Sequence, residues 1–312
     1  MGIFANPLTD LLEYEDFSRD FLKGTDPVGM TGCIDSEKVH FISTFLGEKK
    51  VQLVVTYNEQ RAREIEEDYK LFCSQVYVIP PRDLIFFSAD LQGNAIIAER
   101  MKAFAALYQN EAKVIITTMD ALMSAAVPFE QLMSHVIKLK EGDELDLEKL
   151  KHDLTVMGYE RVGRVEEPGQ FTVHGGIADV YPLTMEVPVR IELWGDEIDT
   201  IRCFEPQSQR SMDQIECVSV FPAAEVIADD TARRRAVGMI QNELESQLAV
   251  FKKVKEPDKA KRLREETNRI LEALGEDVVL EAPDSYISYF YPRTVQLSEY
   301  FDEKNTLVFL DE

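Results

Sequence analysis

The apolar residues of this chain change their period over one central stretch, and that change limits what the chain can fold into. From Gly158 to Glu225 the pattern is that of tight β-structure. Val189, Ile191 and Leu193 alternate with Arg190, Glu192 and Trp194, as in a half-buried strand. Gly195-Asp196 then predicts a turn, and Ile198 to Phe204 the return strand. Gly169, Gly175-Gly176 and Gly195 mark further bends. Just upstream, His135 to Leu139 starts a strand. Asp143 or Asp146 caps a helix carrying Leu147, Leu150 and Leu154 on one face, with Gly158 at its C-terminal end. These features describe a small, β-rich α+β domain.

On either side the pattern differs. Residues 1–23 read as an amphipathic helical lead-in anchored by Leu11, Leu12, Phe17 and Phe21. Val51 to Tyr57, Val76 to Ile79 and Val114 to Thr117 read as buried strands. Between them, Ala62, Ile65, Tyr69 and Phe72, and then Ile97, Met101, Phe104 and Tyr108, recur at helical spacing. Asn58 is placed to cap the first of these helices, and Leu84 to Phe87 read as an apolar core flap. Such alternation means a parallel sheet with helices on both faces. The regime changes near Ala125 to Glu130, and after Ile227 it is helical to about Gly275. The expected class is therefore α/β with an inserted α+β domain, divided at 1–132, 133–227 and 228–312. A chain of 312 residues is long enough for several cores.

Charge and cysteine usage exclude several functions. A formal net charge of −23 repels phosphate backbones, so little or no autonomous DNA binding is expected. Any exception must be local, and the clearest candidate is Arg233 to Arg269. Its mixed charges favour a solvated helix face, with a docking surface as the alternative. No apolar run reaches the ~18 residues of a membrane span, and Met1-Gly2-Ile3 begins no signal peptide. Cys33, Cys73, Cys203 and Cys217 lack metal-ligand spacing and read as reduced thiols of a cytoplasmic protein; no metal or cofactor is expected.

Val28 to Ser36 has the outline of a phosphate-binding loop feeding a helix, with Gly29 and Gly32 at the turn. It departs at the positions that carry the chemistry, where Ile34-Asp35-Ser36 stands in place of Gly-Lys-Ser/Thr. Asp35 reverses the charge aimed at a polyanion, and Ile34 lacks the backbone freedom that turns successive N–H groups inward. Ser36 alone is a helix-start residue. The chain ends in an apolar stretch, Thr306 to Leu310, followed by Asp311-Glu312. This is the outline of a Walker B segment or simply a structural strand, and such an ending suggests the N-terminal piece of something longer. His40, His135, His152 and His174 are scattered, and no nucleophile elbow, HExxH or CxxC appears, so no catalytic group is expected. Trp194 is the single tryptophan and falls on the polar side of its strand, beside Arg190. It is either a binding anchor or a ring folded over its own sheet.

The altered loop, GQFTVHGGIADVYP, PVRIELWGDEIDTIRCFEPQSQRS, FPAAE and LVFLDE together resemble the N-terminal region of the bacterial transcription-repair coupling factors, the Mfd family. That region is similar to domains 1A, 2 and 1B of the excision-repair helicase UvrB. The resemblance covers essentially the whole chain. It implies a UvrB-like domain with a degenerate P-loop and no ATPase activity, and an insert that recruits UvrA to transcription-coupled nucleotide excision repair. The family's UvrA contacts fall here at His174, Arg190 and Trp194, with Glu192 and Arg202 as neighbours. His174 departs, because the family has Arg there. The motor of the parent protein, an ATP-dependent DNA translocase, would lie downstream. Two other roles stay open: a nucleotide hydrolase using Ser36 and Asp311, and a domain packed against the rest of the full-length protein to restrain it.

Overall fold

The structure, a computed structural model, describes residues 8, 12–24, 27–82, 92–275 and 286–312. Leu84 to Phe87, Leu11 and the side chain of Leu12 fall outside the described residues. The helices longer than five residues are α1 (Leu12–Lys23), α2 (Asp35–Ser43), α3 (Glu59–Tyr69), α4 (Gln92–Tyr108), α5 (Leu147–Val156), α6 (Asp230–Lys253) and α7 (Pro257–Gly275). Apart from a short pair at Ala125–Ala126 and Val295–Gln296, the strands are β1 (Val51–Thr56), β2 (Val76–Ile79), β3 (Val114–Thr118), β4 (Ile137–Lys140), β5 (Glu160–Arg161), β6 (Gln170–His174), β7 (Ile177–Val180), β8 (Val189–Trp194), β9 (Glu197–Phe204), β10 (Ser211–Ile215), β11 (Cys217–Val220) and β12 (Thr306–Leu310). No helix among the described residues is long and apolar enough to cross a membrane, and all four cysteines are free.

The chain forms two compact units. The first comprises Met1–Arg82, Lys102–Ser124 and Leu297–Glu312. Its sheet has the order β12-β1-β3-β2, and every pairing is parallel. β3, with a neighbour on each side, is buried at all five positions. α3 begins where the Asn58 side chain accepts the Arg61 amide at 2.8 Å. It buries Ala62, Ile65 and Tyr69 against Val54, Val76, Val78, Val114 and Ile116. Spacing of three and four residues puts those side chains on one stripe. A second cluster joins Tyr14, Phe17 and Phe21 of α1 to Phe41, Phe45, Leu307 and Phe309. The lead-in helix is therefore held by ring packing.

The second unit comprises Asp83–Met101 and Ala125–Gln296. Its main sheet has the order β10-β9-β8-β7-β6-β5, antiparallel except for the β5–β6 pair. One face carries Phe171, Ala178, Val180, Val189, Ile191, Ile198 and Ile201, packed with Leu150 and Leu154 of α5. Of the two candidate caps for α5 it is Asp146 that accepts the Glu148 and Lys149 amides. Gly158 follows with φ +90°, and a Cβ there would lie 2.8 Å from the Cβ of Ala224. Only glycine meets both constraints. Glu225 of the FPAAE stretch forms a buried ion pair with Arg100 of α4. α6 and α7 pack on each other around the turn Val254 to Glu256.

Candidate functional site

The strand register decides which side chains share the outer face of the six-stranded sheet. Asp179 lies opposite Arg190 and Thr172, Ile177 opposite Glu192 and His174, and Arg202 opposite Arg190. Directly opposed residues point to the same side. His174, Ile177, Asp179, Arg190, Glu192 and Arg202 therefore share the face turned away from the Phe171–Ile191 core, and alternation along β8 adds Trp194. The same register brings the β6–β7 turn level with the end of β8, where the Leu193 amide donates to the Gly176 carbonyl at 2.9 Å. His174 and Trp194 thus lie at one end of the sheet. Arg190 lies four residues back, roughly 13 Å along the strand.

Exposure rises along that strand. Arg190 and Glu192 are half-buried, and Trp194 is 83% exposed. Trp194 pairs with Glu197 across the two-residue turn Gly195-Asp196, where Gly195 takes φ +67°. A positive φ at that position suits the tight hairpin and leaves the indole projecting from the corner. Nearby Ile177 is itself 40% exposed. The corner therefore offers an apolar surface with no cover among the described residues.

The arginines differ. Arg190 donates from Nε to Asp179 at 2.8 Å and from one terminal nitrogen to the other oxygen at 2.7 Å. Its guanidinium lies 4.8 Å from the centre of the Phe204 ring. The Asp179 hydrogen bond outweighs burial and raises the Arg190 pKa. Arg190 is thus a pre-oriented fork with one edge already used. Arg202 is half-buried beside it, and its buried Nε has no hydrogen-bond partner among the described residues. Glu192 accepts from the Thr200 hydroxyl at 3.1 Å. The exposed His174 ring lies 2.9 Å from the Thr172 hydroxyl. Neither Asp179, which holds Arg190, nor Ile177 stood out in the sequence. Both become apparent only through the strand register.

The loop Gly29 to Ser36 follows helix α1 and an irregular segment, and no strand is assigned to residues 27–34. Gly29, Gly32, Ile34, Asp35 and Ser36 are all exposed, and Gly32 has φ +89°. Asp311, at the C-terminal edge of β12, lies nearby and is already neutralised. Lys38 Nζ is 2.7 Å from its Oδ1, Arg61 Nε is 3.0 Å from its Oδ2, and the Thr56 hydroxyl donates to Oδ2 at 3.1 Å. Arg61 also reaches the Asp35 carbonyl at 3.3 Å and the Glu64 carboxylate at 3.1 Å. Burial pushes the Asp311 pKa up, and the hydrogen bonds from Lys38, Arg61 and Thr56 outweigh it, leaving it below the usual carboxylate value. Two cations therefore hold Asp311, Lys38 from the first turn of α2 and Arg61 from α3. The pairs span 273 and 250 residues of sequence, so local spacing gives no sign of them.

The histidines form no such cluster. His40 stacks on Phe72 with centroids 5.5 Å apart. Burial lowers the His135 pKa against the pull of Asp229 and Asp153. His152 is exposed on α5. Among the described residues no group of His, Cys, Asp and Glu could hold a metal ion.

Residues 137–225 match the family described as the UvrB interaction domain. Over 98% of its length the chain is 30% identical to the transcription-repair-coupling factor of Bacillus subtilis (strain 168), covering 26% of that protein. It is 30% identical over its whole length to the corresponding factor of Staphylococcus epidermidis, again covering 26%. The factor of Staphylococcus haemolyticus is 31% identical over 94% of the chain, which covers 25% of it. The chain spans about a quarter of the length of the curated relatives it matches.

Proposed function

Over nearly its whole length the chain is similar to the N-terminal region of transcription-repair-coupling factors and holds a UvrB interaction domain at 137–225, and on that premise we propose that it is a recruitment module of transcription-coupled nucleotide excision repair. Its partner is UvrA, bound by the outer face of the six-stranded sheet. The observation that carries this reading is Trp194, an 83% exposed indole at the corner of that face. Aromatic and arginine side chains dominate binding hot spots because they combine large apolar area with directed polar contacts. Trp194 is the anchor, with Ile177 beside it. Arg190 is a fork pre-set by Asp179, Arg202 is the guanidinium with an unused donor, and Glu192 and His174 border them.

The division by role is 1–132, a UvrB-like scaffold; 133–227, the inserted docking domain; and 228–312, the helical segment with the returning strand. We read the scaffold as a degenerate P-loop domain without ATPase activity, in a cytoplasmic protein whose motor lies elsewhere. Three features support this reading: Ile34-Asp35 in the loop, the absence of a strand among the described residues 27–34 that lead through it, and the occupation of Asp311 by Lys38 and Arg61. A Walker B acid used that way keeps at most one of its roughly four lone-pair sites for a magnesium shell.

Titration against UvrA tests the docking face. Arg190→Ala and Trp194→Ala are each expected to weaken binding by about 2 kcal/mol or more. Unchanged affinity in both would remove the assignment. Equilibrium titration with Mg-ATP tests the scaffold, and saturable micromolar binding would restore the nucleotide-hydrolase reading.

A further inference from the structure

We propose that the turn end of the α6–α7 hairpin is a binding site for the phosphate backbone of nucleic acid. Seven lysines and arginines against two acids fall between Phe251 and Arg264, in a chain whose formal net charge is −23. Two of the seven are paired locally, Lys259 with Glu256 at 2.8 Å and Lys261 with Glu265 at 3.8 Å. Lys252, Lys253, Lys255, Arg262 and Arg264 have no ion-pair partner among the described residues. Carboxylates are abundant in this chain, so five unpaired cations at one end of a hairpin are a local reversal of its character.

The cations surround a cleft. A volume of about 820 Å³ opens between the two helices, lined by Phe251, Lys252, Lys255, Lys261 and Arg264, with two carboxylates, Glu256 and Glu265, that pair with Lys259 and Lys261. Cations on both helices and on the turn can follow a chain of phosphates, while Phe251 offers a ring on which a base can stack. The remaining acidity of the chain does not forbid this. Of the acids nearest the cleft, Glu256 and Glu265 are engaged by Lys259 and Lys261, which leaves the five unpaired cations in excess over Asp258 and Glu266.

The turn carries a second mark. Lys255 has φ +58°, and the Glu256 amide bonds back to the Phe251 carbonyl at 3.1 Å. This is the helix-ending position that glycine fills most comfortably. A lysine there gains nothing in backbone conformation, and the residue lines the cleft.

The test is fluorescence anisotropy of the whole chain with a labelled ~20-nucleotide oligothymidylate and a duplex of equal length, at about 50 and about 200 mM salt. The chain is expected to bind both probes more weakly at the higher salt. Lys252→Ala/Lys255→Ala/Arg264→Ala should weaken single-strand binding about tenfold or more and flatten the log-log salt slope by about 2. Lys50→Ala/Lys113→Ala/Lys304→Ala changes the net charge equally at exposed sites outside the hairpin and should change affinity less than about twofold, because it leaves the lining of the cleft intact. Phe251→Ala should weaken the single strand more than the duplex. Lys255→Gly suits the turn, so it should melt no lower than the parent and still bind more weakly. It therefore decides the matter if the triple variant unfolds. Absence of salt-dependent binding, equal losses in the two triple variants, or equal competition by polyglutamate at matched charge would each overturn the proposal. The last result would assign the cleft to an acidic protein.

Discussion

Replacing Asp311 with alanine separates an internal ion cluster from a held-open catalytic acid. Asp311 and Arg61 have side chains 7% and 5% exposed, and Lys38 is 31% exposed. Deleting one partner of a buried pair leaves the other charge uncompensated, at a cost of ~3–5 kcal/mol. Arg61 keeps Glu64 at 3.1 Å and Asp35 at 3.6 Å, so the lower end, ~3 kcal/mol, is the expected cost. Lys38→Ala removes a partly exposed partner that water replaces, and should cost ~1 kcal/mol or less. With urea m-values of ~1–3 kcal/mol/M, Asp311→Ala moves the midpoint of the first unit's transition by ~1–3 M. Circular dichroism across a urea series measures it. A catalytic carboxylate held for chemistry behaves otherwise, since removing it is often neutral or stabilising. A loss under ~1 kcal/mol, indistinguishable from Lys38→Ala, would refute the cluster reasoning.

Other outcomes follow from the same geometry. Because Asp311 titrates below its usual value when folded, its contribution is fully present above ~4 and is lost as pH falls through the folded pKa. Urea midpoints measured from neutral to acid pH should drop below ~4 in the parent and change less in Asp311→Asn. Trp194→Ala buries about a sixth less of one indole, roughly 40 of ~250 Å². It should therefore cost no more than ~1 kcal/mol of stability, and a loss of several would show that the ring packs on its own sheet. Gly158→Ala forces a side chain into φ +90° against Ala224 and should lower stability by ~2–4 kcal/mol; an unchanged melting temperature would contradict the close approach.

The fold was legible where the signal is local. Period-two alternation locates β8 and β9, and Asn58 caps α3 because it immediately precedes that helix's apolar stripe. The choice between Asp143 and Asp146 could not be made in the sequence, since both precede the leucine stripe; Asp146 caps, while Asp143 accepts the Lys140 amide at 3.1 Å. The polar side of β8 was visible as a row, but what holds each member was not. Asp179 engages Arg190 through register, and nothing in VRIELW shows that one arginine edge is already used. Lys38 and Arg61 meet Asp311 from two helices across 273 and 250 residues of sequence, in a fold that sets β12 beside β1. Contacts of that range depend on topology, which residue spacing does not encode.

If UvrA covers the corner of the six-stranded sheet, Trp194 is the residue that reports it most directly. The chain has one tryptophan, so biosynthetic fluorotryptophan gives a single fluorine resonance, at Trp194. In the free chain that resonance should show a full solvent isotope shift, as expected of a ring 83% exposed. Adding unlabelled UvrA should move or broaden it saturably and remove the isotope shift. A resonance that stays unchanged and solvent-exposed while the chain comigrates with UvrA in gel filtration would place the contact elsewhere and contradict the account.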